Sequence, residues 1–201
     1  MILYKYRGFD NFEFALDIFL NSRLYAANFK DLNDPMEGRF VYSKRLLEKA
    51  QLRRIRGSKA EYNVCSLSKT PHNMLMWSYY ADGHKGFVVG VEINDPNTET
   101  KKVRYVKDLV ITAGHGQNLA ILILSKKLVF WEHEEKFRVF KRHENFVTVE
   151  IKELIFGLDT PKEREDLLSK IARAFCPEVN IRKVKRAQIE SGGVDESEIE
   201  A

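Results

Sequence analysis

The sequence predicts an α+β fold, a single domain with a mixed, largely antiparallel sheet and flanking helices. Three observations carry this. Strand-like segments outnumber helical ones, and the two do not alternate regularly, which argues against a doubly wound parallel sheet. Phe87–Ile93 is apolar on consecutive residues, the pattern of a central strand buried on both faces. The chain has 201 residues, 44% hydrophobic and 31% charged. That is enough for one sizeable core over residues 1–189, and it excludes extended disorder and fibrous repeats.

Taken in order, Ile2–Arg7 alternates as a strand with Tyr4 and Tyr6 on one face and Lys5 and Arg7 on the other. Asp10-Asn-Phe-Glu13 has the pattern of a capping box. It opens a helix whose apolar stripe is Phe12, Ala15, Leu16, Phe19 and Leu20. Leu24–Ala27 is a short strand. Asn33-Asp34-Pro35 is a rigid turn, because Pro35 excludes the helical region for Asp34. A basic amphipathic helix is expected over 43–56, with Leu46, Leu47 and Ala50 inward. Tyr62–Ser68 reads as a strand and Asn73–Ala81 as a short aromatic helix ended by Asp82-Gly83.

Val103–Val106 is a further strand, 108–116 a loop, and Asn118–Lys127 a buried helix. Glu135–Lys141 and Phe146–Ile151 are expected to pair as a hairpin, the second strand continuing to Gly157. Thr160-Pro-Lys-Glu163 is a second capping-box pattern. Its helix is expected to bury Leu167, Leu168, Ile171 and Phe175 and to stop before Pro177. Val179–Val184 closes the domain as an edge strand. The last twelve residues hold five of the 29 acids and no base, and are expected to form an acidic disordered tail. Residues 1–189 are left with 33 bases against 24 acids, a balance that tolerates anionic partners without requiring them.

The longest apolar run is Leu119–Leu124, far short of the roughly 20 residues a membrane span needs. With two cysteines and no leader pattern, a cytoplasmic protein that binds no membrane is expected.

Four clusters carry chemistry. Arg7, on the terminal strand with Tyr4, can grip a phosphate bidentately; the alternative is an edge strand with one solvated face. Asn33 and Asp34, in the turn that ends at Glu37, can hold a ligand or simply make Asx-turn bonds. Trp77 and Tyr80, with His84 between Gly83 and Gly86, can wall a planar base; the alternative is a core tryptophan with a turn-capping histidine. Glu134, Lys136 and Arg138 would share one face of a strand. There a carboxylate flanked by cations suits oxocarbenium stabilisation or ribose binding, and the alternative is a cross-strand ion network. The five histidines show no metal-ligand spacing. Lys44–Lys59 is a solvated basic helix face, or a nucleic-acid footprint without a recognition motif.

The order of these motifs resembles the bacterial domain of unknown function 2971. The resemblance spans residues 2 to about 185 and rests on Leu3-Tyr-Lys-Tyr-Arg7, Asn33-Asp-Pro35, Cys65-Ser-Leu-Ser68, Trp77-x-x-Tyr80-Ala-x-x-His84-x-Gly86, Lys127 with Trp131-x-x-Glu134 and Arg138, and Ile155-Phe-Gly157. That family brings no established activity. One departure is that Lys136 stands where the family pattern is expected to carry a second acid. If that acid were essential the chain would be impaired; if Glu134 is the working group nothing is lost. The layout is also distantly similar to ADP-ribosyltransferases. That similarity implies NAD as substrate, Arg7 as its anchor, Trp77 and Tyr80 stacking on nicotinamide, and Glu134 as the catalytic acid. The other expectation is a non-catalytic interaction module that binds nucleic acid or an acidic partner through helix 43–56 in bacterial stress or anti-phage defence.

Overall fold

A computed structural model describes residues 1–42, 48–111 and 118–185. In chain order the elements are β1 (Leu3–Arg7), α1 (Phe12–Asn21), β2 (Arg23–Tyr25), β3 (Ala27–Asn28), α2 (Lys49–Ala60), β4 (Tyr62–Ser68), α3 (Met74–Tyr80), β5 (Phe87–Ile93), β6 (Thr98–Lys102), β7 (Arg104–Val106), α4 (Leu119–Leu124), β8 (Lys126–Leu128), β9 (Lys136–Arg142), β10 (Phe146–Phe156), α5 (Lys162–Phe175) and β11 (Asn180–Lys183). Short 3₁₀ turns occupy Phe29–Asp31 and Val129–Glu134. Helix and strand are nearly balanced and the pairing is mostly antiparallel, so the fold is α+β.

The chain separates into two compact units. The first holds Met1–Leu24, Leu67–Asn94 and the segment from Thr148; the second holds Tyr25–Ser66 and Asp95–Val147. In the first unit the strands run β11-β10-β5-β1. β5 is central, as its unbroken apolar run predicts, antiparallel to β1 (Tyr4 opposite Gly90) and to β10 (Leu154 opposite Val89). A bulge between Ile151 and Glu153 shifts the β10 register, and β11 adds parallel to β10 at the edge. Helix α3 packs on β1, and its Met76 and Trp77 join Tyr6, Ala81, Val88, Ile155 and Val184 in one core. Helices α1 and α5 pack together.

In the second unit β4 is flanked by β3 and β9, and β6 pairs antiparallel with β9. β7 and β8 form a separate parallel pair. Its apolar cores are Phe29, Val64, Ile121, Leu124 and Phe140, and Leu52, Ile55, Ile111 and Ile123 between α2 and α4.

Several expectations are corrected. β9 and β10 do not form a hairpin: β9 takes β6 and β10 takes β5. β6 reads Thr-Glu-Thr-Lys-Lys, a polar edge strand with no apolar period to reveal it. The Asp10–Glu13 box does not form. Helix α1 starts after Asn11 without a side-chain cap, and buries Ala15, Ile18 and Phe19 while Leu20 is exposed. The Thr160 box does not form either, because the Thr160 hydroxyl donates to Gly86 O at 2.7 Å instead of capping α5. Helix α5 turns Leu168 and Ala172 inward and leaves Leu167 and Phe175 exposed. Helix α2 runs from Lys49, with Ala50 exposed and Leu52 and Ile55 buried; Leu46, Leu47 and the start at Ser43 lie outside the described residues. The buried helix predicted to Lys127 stops at Leu124, and the chain turns into β8. Residues 112–116 of the expected loop and the acidic tail also lie outside the described residues.

Candidate functional site

In the first unit the aromatic cluster is built on β1 and α3. Tyr6 and Trp77 meet edge to face with centroids 5.4 Å apart. The Tyr6 hydroxyl donates to Thr70 O at 2.8 Å and accepts from Asn73 N at 3.4 Å. Asn73 also caps α3, its side chain accepting from Met76 N. Trp77 is 1% exposed and its indole N–H donates to Pro71 O at 2.7 Å. His84 stacks on the indole at 5.6 Å with 11° between the planes. The imidazole is therefore the outward ring of this stack.

His84 closes a run of three left-handed residues, Asp82 (φ 49°), Gly83 (φ 56°) and His84 (φ 68°). Burial lowers the His84 pKa against the opposing field of Asp159. Its Nδ1 is buried without a hydrogen-bond partner among the described residues. Tyr80 packs on the rim of the core. Arg7 ends β1, where its carbonyl would lie 2.1 Å from a Cβ at Gly86.

Tyr4 belongs to a second group on the same sheet. It lies beside Gly90, and a Cβ there would sit 3.0 Å from both Tyr4 Cε1 and Glu153 Cβ. The absent side chain lets the phenol cross the central strand and donate to Glu153 Oε1 at 3.1 Å. Arg182 on β11 donates to Glu153 Oε2 at 3.3 Å. Burial, reinforced by the Glu153 charge, pushes the Tyr4 phenol up to about 12. Burial and then the Arg182 charge lower His72. Sequence reasoning missed Glu153, Arg182 and His72. The signal for them was Gly90, a glycine inside an otherwise bulky central strand.

The second unit brings together the turn and the late acid. Asp34 Oδ1 accepts from Met36 N at 2.9 Å and Asp34 O accepts from Glu37 N at 3.0 Å, a tight Asx-type turn that leaves Asn33 exposed. Gly38 (φ 66°) ends the turn, with the Phe29 ring 2.7 Å from where a Cβ would lie. Lys59 donates to Gly38 O from between the Phe29 and Phe40 rings, 5.0 and 5.1 Å away. The turn delivers Glu37 to Arg138, whose Nη2 donates to Glu37 Oε1 while Nη1 donates to Leu124 O.

Glu134 was expected on a strand, and instead it ends the 3₁₀ turn Val129–Glu134. The left-handed Glu135 (φ 43°) then redirects the chain into β9. Glu134 is 0% exposed. Lys127 donates to its Oε2 at 2.6 Å and Lys136 to its Oε1 at 2.8 Å. The Lys127 ammonium sits 4.1 Å from the Trp131 ring centre. Tyr105 accepts from Lys136 N at 2.8 Å, and burial pushes its phenol up to about 12. Lys127 and Lys136 on Glu134, and Arg138 on Glu37, set three buried bases against two carboxylates in these pairs. Three further buried atoms, Arg138 Nε, Glu37 Oε2 and Ser125 Oγ, have no hydrogen-bond partner among the described residues.

The predicted site residues thus fall into two sets. Tyr4, Arg7, Trp77, Tyr80 and His84 belong to the first unit; Asn33, Asp34, Glu134 and Arg138 belong to the second. Among the described residues no three His, Cys, Asp or Glu side chains group as metal ligands, and no helix is long and apolar enough to cross a membrane. Compared with protein-family models, curated proteins and solved structures, the chain matches none.

Proposed function

We propose that this protein binds a nucleotide at the ionic cluster of its second unit, with NAD as the candidate substrate of an ADP-ribosyl transfer or glycohydrolase reaction. The observation that carries the reading is Glu134: a fully buried carboxylate held between Lys127 and Lys136, the first of these seated on the Trp131 ring. The reaction breaks the bond from ribose C1′ to nicotinamide, whose nitrogen leaves with the electron pair. Water or an acceptor hydroxyl adds to C1′ and releases its proton. A fixed carboxylate suits the cationic sugar that develops, and the cations Lys127, Lys136 and Arg138 suit the diphosphate. Membership of the bacterial domain of unknown function 2971 belongs to the same proposal, with Lys136 accommodated as a partner of Glu134 rather than as a missing acid.

Incubation with NAD is expected to release nicotinamide, and Glu134→Gln to slow that release by about 100-fold or more. No release in the presence of cell extract, together with no heat of NAD binding, overturns the proposal.

A second reading has its own support. Between Lys49 and Ala60, α2 carries no acid, and Lys49, Arg53, Arg54 and Arg56 are all exposed. Such a face suits the phosphates of a nucleic acid. Its binding would weaken steeply as salt rises and would be insensitive to Glu134→Gln.

A further inference from the structure

We propose that Arg138 is an oxyanion site for a phosphate group and that Glu37 is its built-in competitor, a carboxylate that occupies the site until a phosphate displaces it. This rests on the nucleotide reading for its biological ligand, but not for its chemistry. Arg138 is 1% exposed, yet it is satisfied unevenly. Nη1 holds Leu124 O and Nη2 holds one oxygen of Glu37, while Nε and the second Glu37 oxygen both lack a partner among the described residues. Guanidinium and carboxylate normally meet through two parallel bonds. Here the pair uses one, so the edge formed by Nε and Nη2 is half filled. A tetrahedral phosphate presents oxygens to both nitrogens of that edge. The hydroxyl of Ser125, the residue after Leu124, is likewise buried without a partner among the described residues.

The competitor sits on a segment built to move as a piece. Residues 34–38 are closed on themselves by Asp34, and the turn ends at a left-handed glycine. Pro35 and Met36 on its outer side are exposed. Lys59 holds it at Gly38 O and Arg138 at Glu37, and the adjoining Arg39 donates from Nε to Pro35 O and from its amide to Met36 O. Displacing Glu37 would leave the Gly38 anchor in place and swing only the 34–37 arm. Arg138 would then meet the phosphate in place of Glu37.

Pyrophosphate, titrated calorimetrically into the full chain, tests this. Glu37→Gln removes the competing charge at nearly constant shape and is expected to tighten pyrophosphate binding by about tenfold or more. Glu37→Asp keeps the charge and is expected to stay within about twofold of the unaltered chain. In the unaltered chain, pyrophosphate is expected to speed hydrogen exchange at the Arg39 amide, whose bond to Met36 O joins the swinging arm to the anchored side. This second measurement decides the matter if Glu37→Gln does not fold. Unchanged or weaker affinity in folded Glu37→Gln, or an Arg39 amide indifferent to pyrophosphate, overturns the competitor. Nicotinamide release with an indifferent turn removes this inference alone. Pyrophosphate binding with the expected responses, but no NAD turnover, removes the NAD reading alone.

Discussion

The two units bury different chemistry. The first centres on rings: Tyr6, Trp77 and His84 in contact, with the polar atoms of Tyr6 and Trp77 handed to nearby backbone. The second centres on ions: Glu134, Lys127, Lys136, Arg138 and Glu37, paired side chain to side chain. A ring core loses stability in proportion to the volume removed. An ion core loses it when the charges stop balancing, whatever the volume. The same kind of substitution therefore reports different physics in each half.

The largest expected effect is Trp77→Ala, which removes a fully buried indole and should destabilise by about 3–5 kcal/mol in urea unfolding. No second substitution that merely adjusts charge should restore it. Glu134→Gln changes almost no volume, yet should cost about 3 kcal/mol because two buried ammonium groups lose their counter-charge. The combination Glu134→Leu with Lys136→Met should recover part of that loss, since apolar groups replace a buried pair well. If the combination is worse than the sum of its parts, the ionic description of the second unit is wrong.

Tyr4→Phe is a smaller change, about 1–2 kcal/mol at neutral pH for a hydrogen bond to a carboxylate. The Tyr4 phenol sits above its ordinary value in the folded chain, so its contribution is complete below pH 10 and disappears as pH rises through about 12. Tyr105 behaves alike in the second unit. Each phenylalanine variant should flatten part of the alkaline decline in stability, and both together should flatten more. The smallest effect concerns His84. Its pKa is lowered in the fold, so its contribution is complete above about pH 6.5 and is lost as pH falls through the lowered value. His84→Gln should flatten the mildly acidic limb of the stability profile and leave the alkaline limb untouched.

What could be read from the sequence follows the same division. β4 and β5 carry strong apolar patterns and were legible to their ends, and the aromatic helix α3 was legible to within one residue at each end. The turn at Asp34 followed from its proline. The partner of β9 was not legible, because pairing is decided by distant segments and β6 has no apolar residue to announce it. Both capping boxes were misread for one reason: a side chain near a helix start bonds whatever the tertiary fold offers, and Thr160 is offered Gly86. Glu134 and Arg138 were picked out by charge alone. Glu37 was visible only as the end of a turn, since nothing local ties it to a residue 101 positions away.

Two glycines set a limit on how the first unit can vary. A methyl group at Gly86 would meet Arg7 O, and one at Gly157 would meet His84 O, each at 2.1 Å. Both obstacles are main-chain atoms, which no exchange of neighbouring side chains can retract. In a genetic screen, lesions of the ring stack should yield compensating second-site revertants, whereas Gly86→Ala and Gly157→Ala should revert only at their own codons.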